Sequence, residues 1–238
     1  MKLFLLLFPC LCGHLFAQNY HTNASREDES SKLRRMATIS LAVGIPQEEF
    51  RDINDHVSIG IRGHVMTAIG NFPLRIGLDY GYLVQQNLRK EFNSSSNFQN
   101  RYTINASSNI ATLGLTMRFD PFAHKRSMPI QPFIDGSVGG NAFFSTTETT
   151  YYSSRYGNWS DPSSSSKTNW AFTYGGSVGI AVPVGKRVRI EAKGSYYLGD
   201  RTKYLIDPVI DSFGNVEFTE KKSETTMLIP QIGLNWQW

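Results

Sequence analysis

From residue 36 to the last residue, apolar side chains recur at every second position in eight separate segments, and no stretch keeps a helical period. A period of two puts successive side chains on opposite faces of an extended chain, so each segment reads as a strand with one apolar and one polar face. The first sets Ile39, Leu41, Val43 and Ile45 against Thr38, Ser40, Ala42 and Gly44. The third sets Leu74, Ile76, Leu78, Tyr80 and Tyr82 against Arg75, Gly77, Asp79 and Gly81. The fourth and seventh do the same, with Arg118 on the polar face of one and Arg189, Glu191 and Lys193 on that of the other. The eighth runs from about Thr226 to Trp238, with Leu228, Ile232, Leu234 and Trp236 on its apolar side.

Alternation alone also suits a soluble sandwich, or a barrel with its apolar face inward. The connections separate these folds. They run 46–56, 68–73, 85–108, 120–129, 145–169, 185–187 and 200–224, the second, fourth and sixth short and the third, fifth and seventh long and polar. Strands with apolar-out, polar-in alternation joined by short turns at one end and long loops at the other are the pattern of transmembrane barrels. Glycines on the polar face (Gly60, Gly77, Gly114, Gly175) fit the narrow interior of an eight-stranded barrel, which side chains fill. Aromatic residues also sort by strand end. Tyr80, Tyr82, Phe144, Trp170, Phe172, Tyr174 and Tyr196 fall toward the long loops, and Phe119, Phe122, Trp236 and Trp238 toward the short turns. Two such girdles are where amphipathic rings settle at membrane interfaces. The expected fold class is therefore all-β, a closed eight-stranded antiparallel transmembrane β-barrel with its apolar face outward and a polar lumen.

The start of the chain reads as an export signal. Lys2 precedes the apolar run Leu3–Phe8, and small-residue cleavage is expected between Ala17 and Gln18. The run is shorter than the roughly 20 residues a spanning helix needs. Both cysteines, Cys10 and Cys12, fall inside the signal segment 1–17, so no disulfide and no thiolate metal site is expected in the exported chain. The expected organisation is a signal peptide at 1–17, a flexible periplasmic leader at 18–35 and the barrel at 36–238. Charged residues make up 18% and aromatics 13%, against disorder over the whole length. Basic residues are scattered through a chain of net charge +4, so no nucleic-acid partner is expected.

The chain closes on Gln231-Ile232-Gly233-Leu234-Asn235-Trp236-Gln237-Trp238. Gln231, Gly233, Trp236 and Trp238 match the C-terminal assembly signal of bacterial outer-membrane barrels, and residues 36–238 resemble the OmpA/OmpX-like group of those proteins. The resemblance implies an outer-membrane location in a Gram-negative bacterium, contact with outer-membrane lipid, and insertion by the barrel-assembly machinery. With Trp238 the last residue read, the wall-binding domain that some members append is not expected.

Little of the sequence points to chemistry. The inward positions carry Arg62, His64, Arg75, Asp79, Arg118, Asp135, Arg189, Glu191 and Lys193. Of these, Arg62, Asp79, Asp135, Glu191 and Lys193 fall at similar heights and are expected to pair and plug the lumen, since an unpaired buried charge is costly. Asp52, Asp55 and His56 share the first outer connection, where an acid and a base would serve a hydrolase, but no second such pair appears on the rim. His64 and Ser58 are in lumen phase, against a lipid-modifying site on the membrane face. No cofactor, metal ligand set or catalytic residue is expected. The expected role is structural or surface-binding, with a ligand held by loops 85–108, 145–169 or 200–224; a narrow channel for small or apolar solutes is the alternative. Pro230 breaks the rule of the eighth strand, because proline has no N–H for a ladder. A local bulge or lateral notch is expected there.

Overall fold

A backbone that alternates apolar and polar side chains leaves its N–H and C=O groups pointing sideways, and neighbouring strands take them up. The computed structural model describes residues 35–70, 72–93, 100–122, 128–153, 158–159, 163–211 and 215–238. The proposed cleavage site at Ala17 and Gln18 and the rest of the leader up to residue 34 lie outside the described residues. Arg35 does not belong to a leader but opens the first strand. The elements are β1 (Arg35–Pro46), α1 (Glu48–Ile53), β2 (Ser58–Ala68), β3 (Leu74–Asn93), β4 (Asn100–Phe119), β5 (Gln131–Ser153), β6 (Asn158–Trp159), β7 (Ser163–Pro183), β8 (Val188–Gly199), β9 (Thr202–Ile210), β10 (Val216–Ser223) and β11 (Met227–Gln237).

Eight of these strands form a closed antiparallel wall in the order β1, β2, β3, β4, β5, β7, β8, β11, and β11 pairs back onto β1. Closure runs from Met36 opposite Gln237 to Ala42 opposite Gln231. The alternation sorts the two faces of the wall. Ile39, Leu41, Ile134, Val178 and Ile232 point outward and are 58–66% exposed, while Thr38, Ser40, Asp135, Ser177 and Gly233 occupy the inward phase. Inward glycines let neighbouring backbones approach: a Cβ on Gly60 would lie 1.9 Å from the Tyr82 carbonyl oxygen.

The wall is uneven in height. β1, β2, β8 and β11 have 11 or 12 residues, about one bilayer span. β3, β4, β5 and β7 have 20 to 23 and rise together past their neighbours on one side. At roughly 3.3 Å per residue, the excess lifts a four-stranded sheet some 30 Å beyond that span. This corrects the reading of 85–108 and 145–169 as loops. Their described parts are mostly strand, with Arg89 opposite Asn105 and Thr147 opposite Ser165. Ser, Thr and Asn look like loop composition, but above a bilayer both sheet faces meet water or other protein, so the apolar alternation disappears while the ladder continues.

The connection 200–224 is not a plain loop either. Its described residues hold the hairpin β9–β10, with Ser223 opposite Thr202 and Val216 opposite Ile210. β9 lies across the inner face of the raised wall: Ser145 Oγ donates to the Leu205 carbonyl oxygen at 3.0 Å, and Ser108 Oγ donates to the same oxygen. Beneath it the lumen is apolar. Leu83, Ile110, Phe143, Met227 and Ile229 pack there with Tyr204 from β9 and Phe50 from α1, all at most 3% exposed. Phe50 sits edge-on to Phe143 and Tyr204, with ring centroids 6.0 and 5.3 Å away. The lumen is thus polar across the span and apolar at the outer mouth, where the hairpin rather than water covers it.

Pro230 faces outward, opposite Gly194 of β8, and pairing on that side is unbroken from Met227 to Trp236. On the β1 side the ladder skips Val43 and Gly44, and it resumes at Ile45 opposite Leu228 in the same register. In an antiparallel strand a residue's N–H and C=O point to the same neighbour, so the missing N–H of Pro230 falls toward β1. No register shift accompanies it, so there is an interrupted ladder and no bulge. The residue opposite Pro230 is Val43; Gly44 faces the other neighbour, β2, where it pairs with Ser58, whose Oγ donates to its carbonyl at 3.2 Å.

Truncating the aromatic anchor of the outer mouth should free the hairpin without opening the wall. Phe50→Ala is expected to weaken hairpin docking by about 3–5 kcal/mol. Amide exchange will show faster exchange at β9 and β10 while β1, β2 and β8 keep wild-type protection.

Candidate functional site

The inward phase of five of the wall strands gathers the charges inside the barrel. β2 supplies Arg62 and His64, β3 Arg75 and Asp79, β4 Arg118, β5 Asp135, and β8 Arg189, Glu191 and Lys193, every one at most 6% exposed. Arg118 is the hub. Its Nε and Nη2 donate to the two Asp135 oxygens at 2.6 and 2.8 Å, and its Nη1 and Nη2 donate to the two Glu191 oxygens at 2.8 Å each. The guanidinium also lies over the Phe133 ring, 3.6 Å from its centroid. Such a planar fork matches two carboxylates at once, which a lysine ammonium cannot.

From this hub the network crosses the barrel. Lys193 Nζ lies 3.4 Å from Asp135 and 3.9 Å from Asp79. Arg62 donates to Asp79 and, at 3.2 Å, to the Tyr197 hydroxyl, and it sits over the Tyr197 ring. Asn235 donates to Glu191 at 3.3 Å and to Thr38 Oγ1 at 2.8 Å, which ties the layer to the β1–β11 closure. The structure therefore brings together Arg62, Asp79, Asp135, Glu191 and Lys193. Arg118, inward by its period but left out of the expected set, connects them. Asp120, in the expected connection 120–129, sits just past the end of β4 and lies 3.3 Å from Arg189. It lies two residues beyond Arg118 and continues the inward phase one residue past the end of β4, which is the one signal the sequence held for it. Beside the layer a cavity of about 20 Å³ lined by Arg62, Asp79 and Tyr197 has room for about one water.

The C-terminal residues are spread over both faces. Gln231 points inward and donates to Ser195 Oγ at 3.3 Å, and Trp236 points outward, half exposed. A Cβ on Gly233 would lie 2.2 Å from the Ile39 carbonyl oxygen. Trp238 exchanges backbone hydrogen bonds with Arg35 at 3.0 and 3.1 Å.

On the outer rim, His56 reaches β9. Its Nε2 lies 2.8 Å from Asp207 of β9 and 3.9 Å from Asp55. Asp207 adopts φ 52°, and Gln86 grips it twice, Nε2 donating to its carboxylate at 3.0 Å and Oε1 accepting its N–H at 2.7 Å. Gln86 and His56 hold the Asp207 carboxyl below its usual range. Arg201 does the same for Glu49, and Lys203 with Lys167 for Glu220. These carboxylates pin the hairpin to α1, β3 and β7.

No family model matches the chain, and a search of curated proteins found no match. Among solved structures, Neisserial surface protein A is 12% identical, with a TM-score of 0.47 over 86% of this chain and 97% of that one. Ail, the attachment invasion locus protein of Yersinia pestis, solved with the heparin analogue sucrose octasulfate, is 14% identical, with a TM-score of 0.35 over 86% and 98%. The outer membrane protease OmpT from Escherichia coli is 11% identical, with a TM-score of 0.36 over 92% and 99%. The class of the protein rests on its own geometry: a closed eight-stranded β-barrel with an apolar outside and a charged, side-chain-filled lumen. Such a wall is built to stand in a membrane.

Removing the hub leaves two buried carboxylates short of a partner. Arg118→Met is expected to cost about 3–5 kcal/mol, read from urea unfolding in detergent micelles. Adding Asp135→Asn and Glu191→Gln should recover part of that loss. The rim carboxyls have lowered folded values, so their contribution to hairpin docking is complete above the ordinary carboxylate range and is lost as pH falls through those values. Amide protection of β9 and β10 should hold at neutral pH and drop below about pH 4, before the barrel wall opens.

Proposed function

We propose that the chain is an integral outer-membrane protein of a Gram-negative bacterium whose barrel does not conduct, and which acts by standing in the membrane and presenting its raised wall outside. The observation that carries this reading is the double filling of the lumen. A connected ion-pair layer closes the span, an apolar layer under the β9–β10 hairpin closes the outer mouth, and the cavity between Arg62 and Asp79 takes about one water. The lipid-facing band supports contact with outer-membrane lipid. Gln231, Gly233, Trp236 and Trp238 are proposed as the signal read by the assembly machinery. The role is not enzymatic: the Asp207 carboxylate next to His56 also accepts from Gln86 and anchors the hairpin.

An outside ligand would meet the raised wall. Its outer face carries Thr146, Ser164, Ser166 and Thr168 at or above the level of the Trp170 ring. The alternative, a channel for apolar solutes with sideways release, has one observation in its favour, the interrupted β1–β11 ladder at Pro230. It would require both lumen layers to part.

Planar-bilayer recording in concentrated KCl tests the reading. The wild-type protein should give no unitary steps. A variant lacking residues 202–223 and carrying Arg118→Ala, Asp135→Ala and Glu191→Ala should give them. Stepwise conductance from the wild type would overturn the plugged-lumen function.

A further inference from the structure

The buried lumen charges do not balance. Among the described residues, five buried cations (Arg62, Arg75, Arg118, Arg189 and Lys193) stand against four buried carboxylates (Asp79, Asp120, Asp135 and Glu191). The carboxylates are taken: Asp79 by Arg62, Asp135 and Glu191 by Arg118, and Asp120 by Arg189. Arg75 stands opposite Arg118 at the short-turn end of the barrel, and its Nη1 is buried without a hydrogen-bond partner. A surplus of buried positive charge at one end raises the affinity of that end for an anion.

At the same end a pocket of about 230 Å³ opens between the turn joining β7 to β8 and the ends of β5 and β11. Gln131, Lys186, Arg187, Arg189 and Gln237 line it. Gln237 is 3% exposed, and its Nε2 amide has no hydrogen-bond partner. The turn that carries Lys186 and Arg187 is tied down. The Gln237 backbone N–H donates to the Arg187 carbonyl at 2.8 Å, and the N–H groups of Val184 and Gly185 donate to the Val188 carbonyl at 3.0 and 3.2 Å. Asp120, which holds Arg189, does not line the pocket.

We propose that this pocket binds a phosphate group. A tetrahedral oxyanion offers only acceptors, and the pocket offers an ammonium, two guanidinium groups and a buried amide donor with nothing to bind. Arginine forks match phosphate oxygens in pairs, and such charge-assisted bonds are stronger than neutral ones. The phosphate comes either from solution or from a lipid headgroup in the leaflet at that end; the recognition chemistry is the same.

The test uses the full chain in a maltoside detergent, which carries no phosphate, with its glutamine side-chain amides labelled with ¹⁵N. Inorganic phosphate is titrated at constant ionic strength made up with chloride. The Gln237 Nε2 resonances should shift saturably. Lys186→Ala with Arg187→Ala, both on an exposed turn, should weaken binding by about tenfold or more, the effect of losing a hydrogen bond to a charged partner. Repeating the titration in phosphatidylglycerol nanodiscs separates the sources: a blocked titration assigns the site to lipid phosphate, and a preserved one assigns it to soluble phosphate. No saturable shift in detergent, an equal shift with acetate, or unchanged affinity in the double variant would each overturn the proposal.

Discussion

In a hydrocarbon environment no water is available to bond an open sheet edge, so a sheet that spans it must close on itself. The pairing of β1 with β11 meets that demand, and the rest of the molecule follows from it. Once the wall is closed, every second side chain faces lipid and every other one faces a narrow interior that side chains must fill. Inward glycines where backbones nearly touch, and the leucines and isoleucines outside, are two consequences of one closure. Pro230 shows how strict the demand is. The interruption on its β1 side is confined to Val43 and Gly44, and the register is kept on both sides of it.

Inside the span, the same closure makes charge expensive unless it is paired. The lumen answers with connected pairs rather than isolated ones. Arg118 joins Asp135 to Glu191, Lys193 lies between Asp135 and Asp79, and Asn235 carries the layer to β1. Such a layer holds strands distant in sequence at one register. It also leaves a positive excess at the short-turn end, where Arg75, Arg189, Lys186 and Arg187 gather.

The outer half obeys different rules because water is available there. Four strands continue upward as a polar sheet, and their inner face is covered by the β9–β10 hairpin rather than by more barrel. Phe50, Phe143 and Tyr204 supply the apolar contact, and Glu49, Asp207 and Glu220 supply charged ties at the rim. The barrel is thus stoppered twice by different physics, ion pairs in the span and aromatic packing at the mouth, and its accessible surface is the raised wall.

Period two, the short and long connections in turn, and the sorted aromatics were legible in the residues alone, because each side chain of a membrane strand answers directly to lipid or lumen. That was enough to place eight strands, their outward faces and the inward charges. The same local signal fails where the environment stops alternating. Residues 85–108 and 145–169 look like loops because water or protein meets both faces of the raised sheet, and the hairpin in 200–224 is a strand pair only because the wall beneath it offers a partner. Arg118 as hub, Asp120 as partner of Arg189 and Asp207 as partner of His56 were decided by tertiary structure, since each joins positions far apart in the chain that only barrel closure brings within a few ångströms. Sequence periodicity reports which face a residue is on; which residue it meets across the lumen depends on strand order, register and height, and those exist only once the sheet has closed.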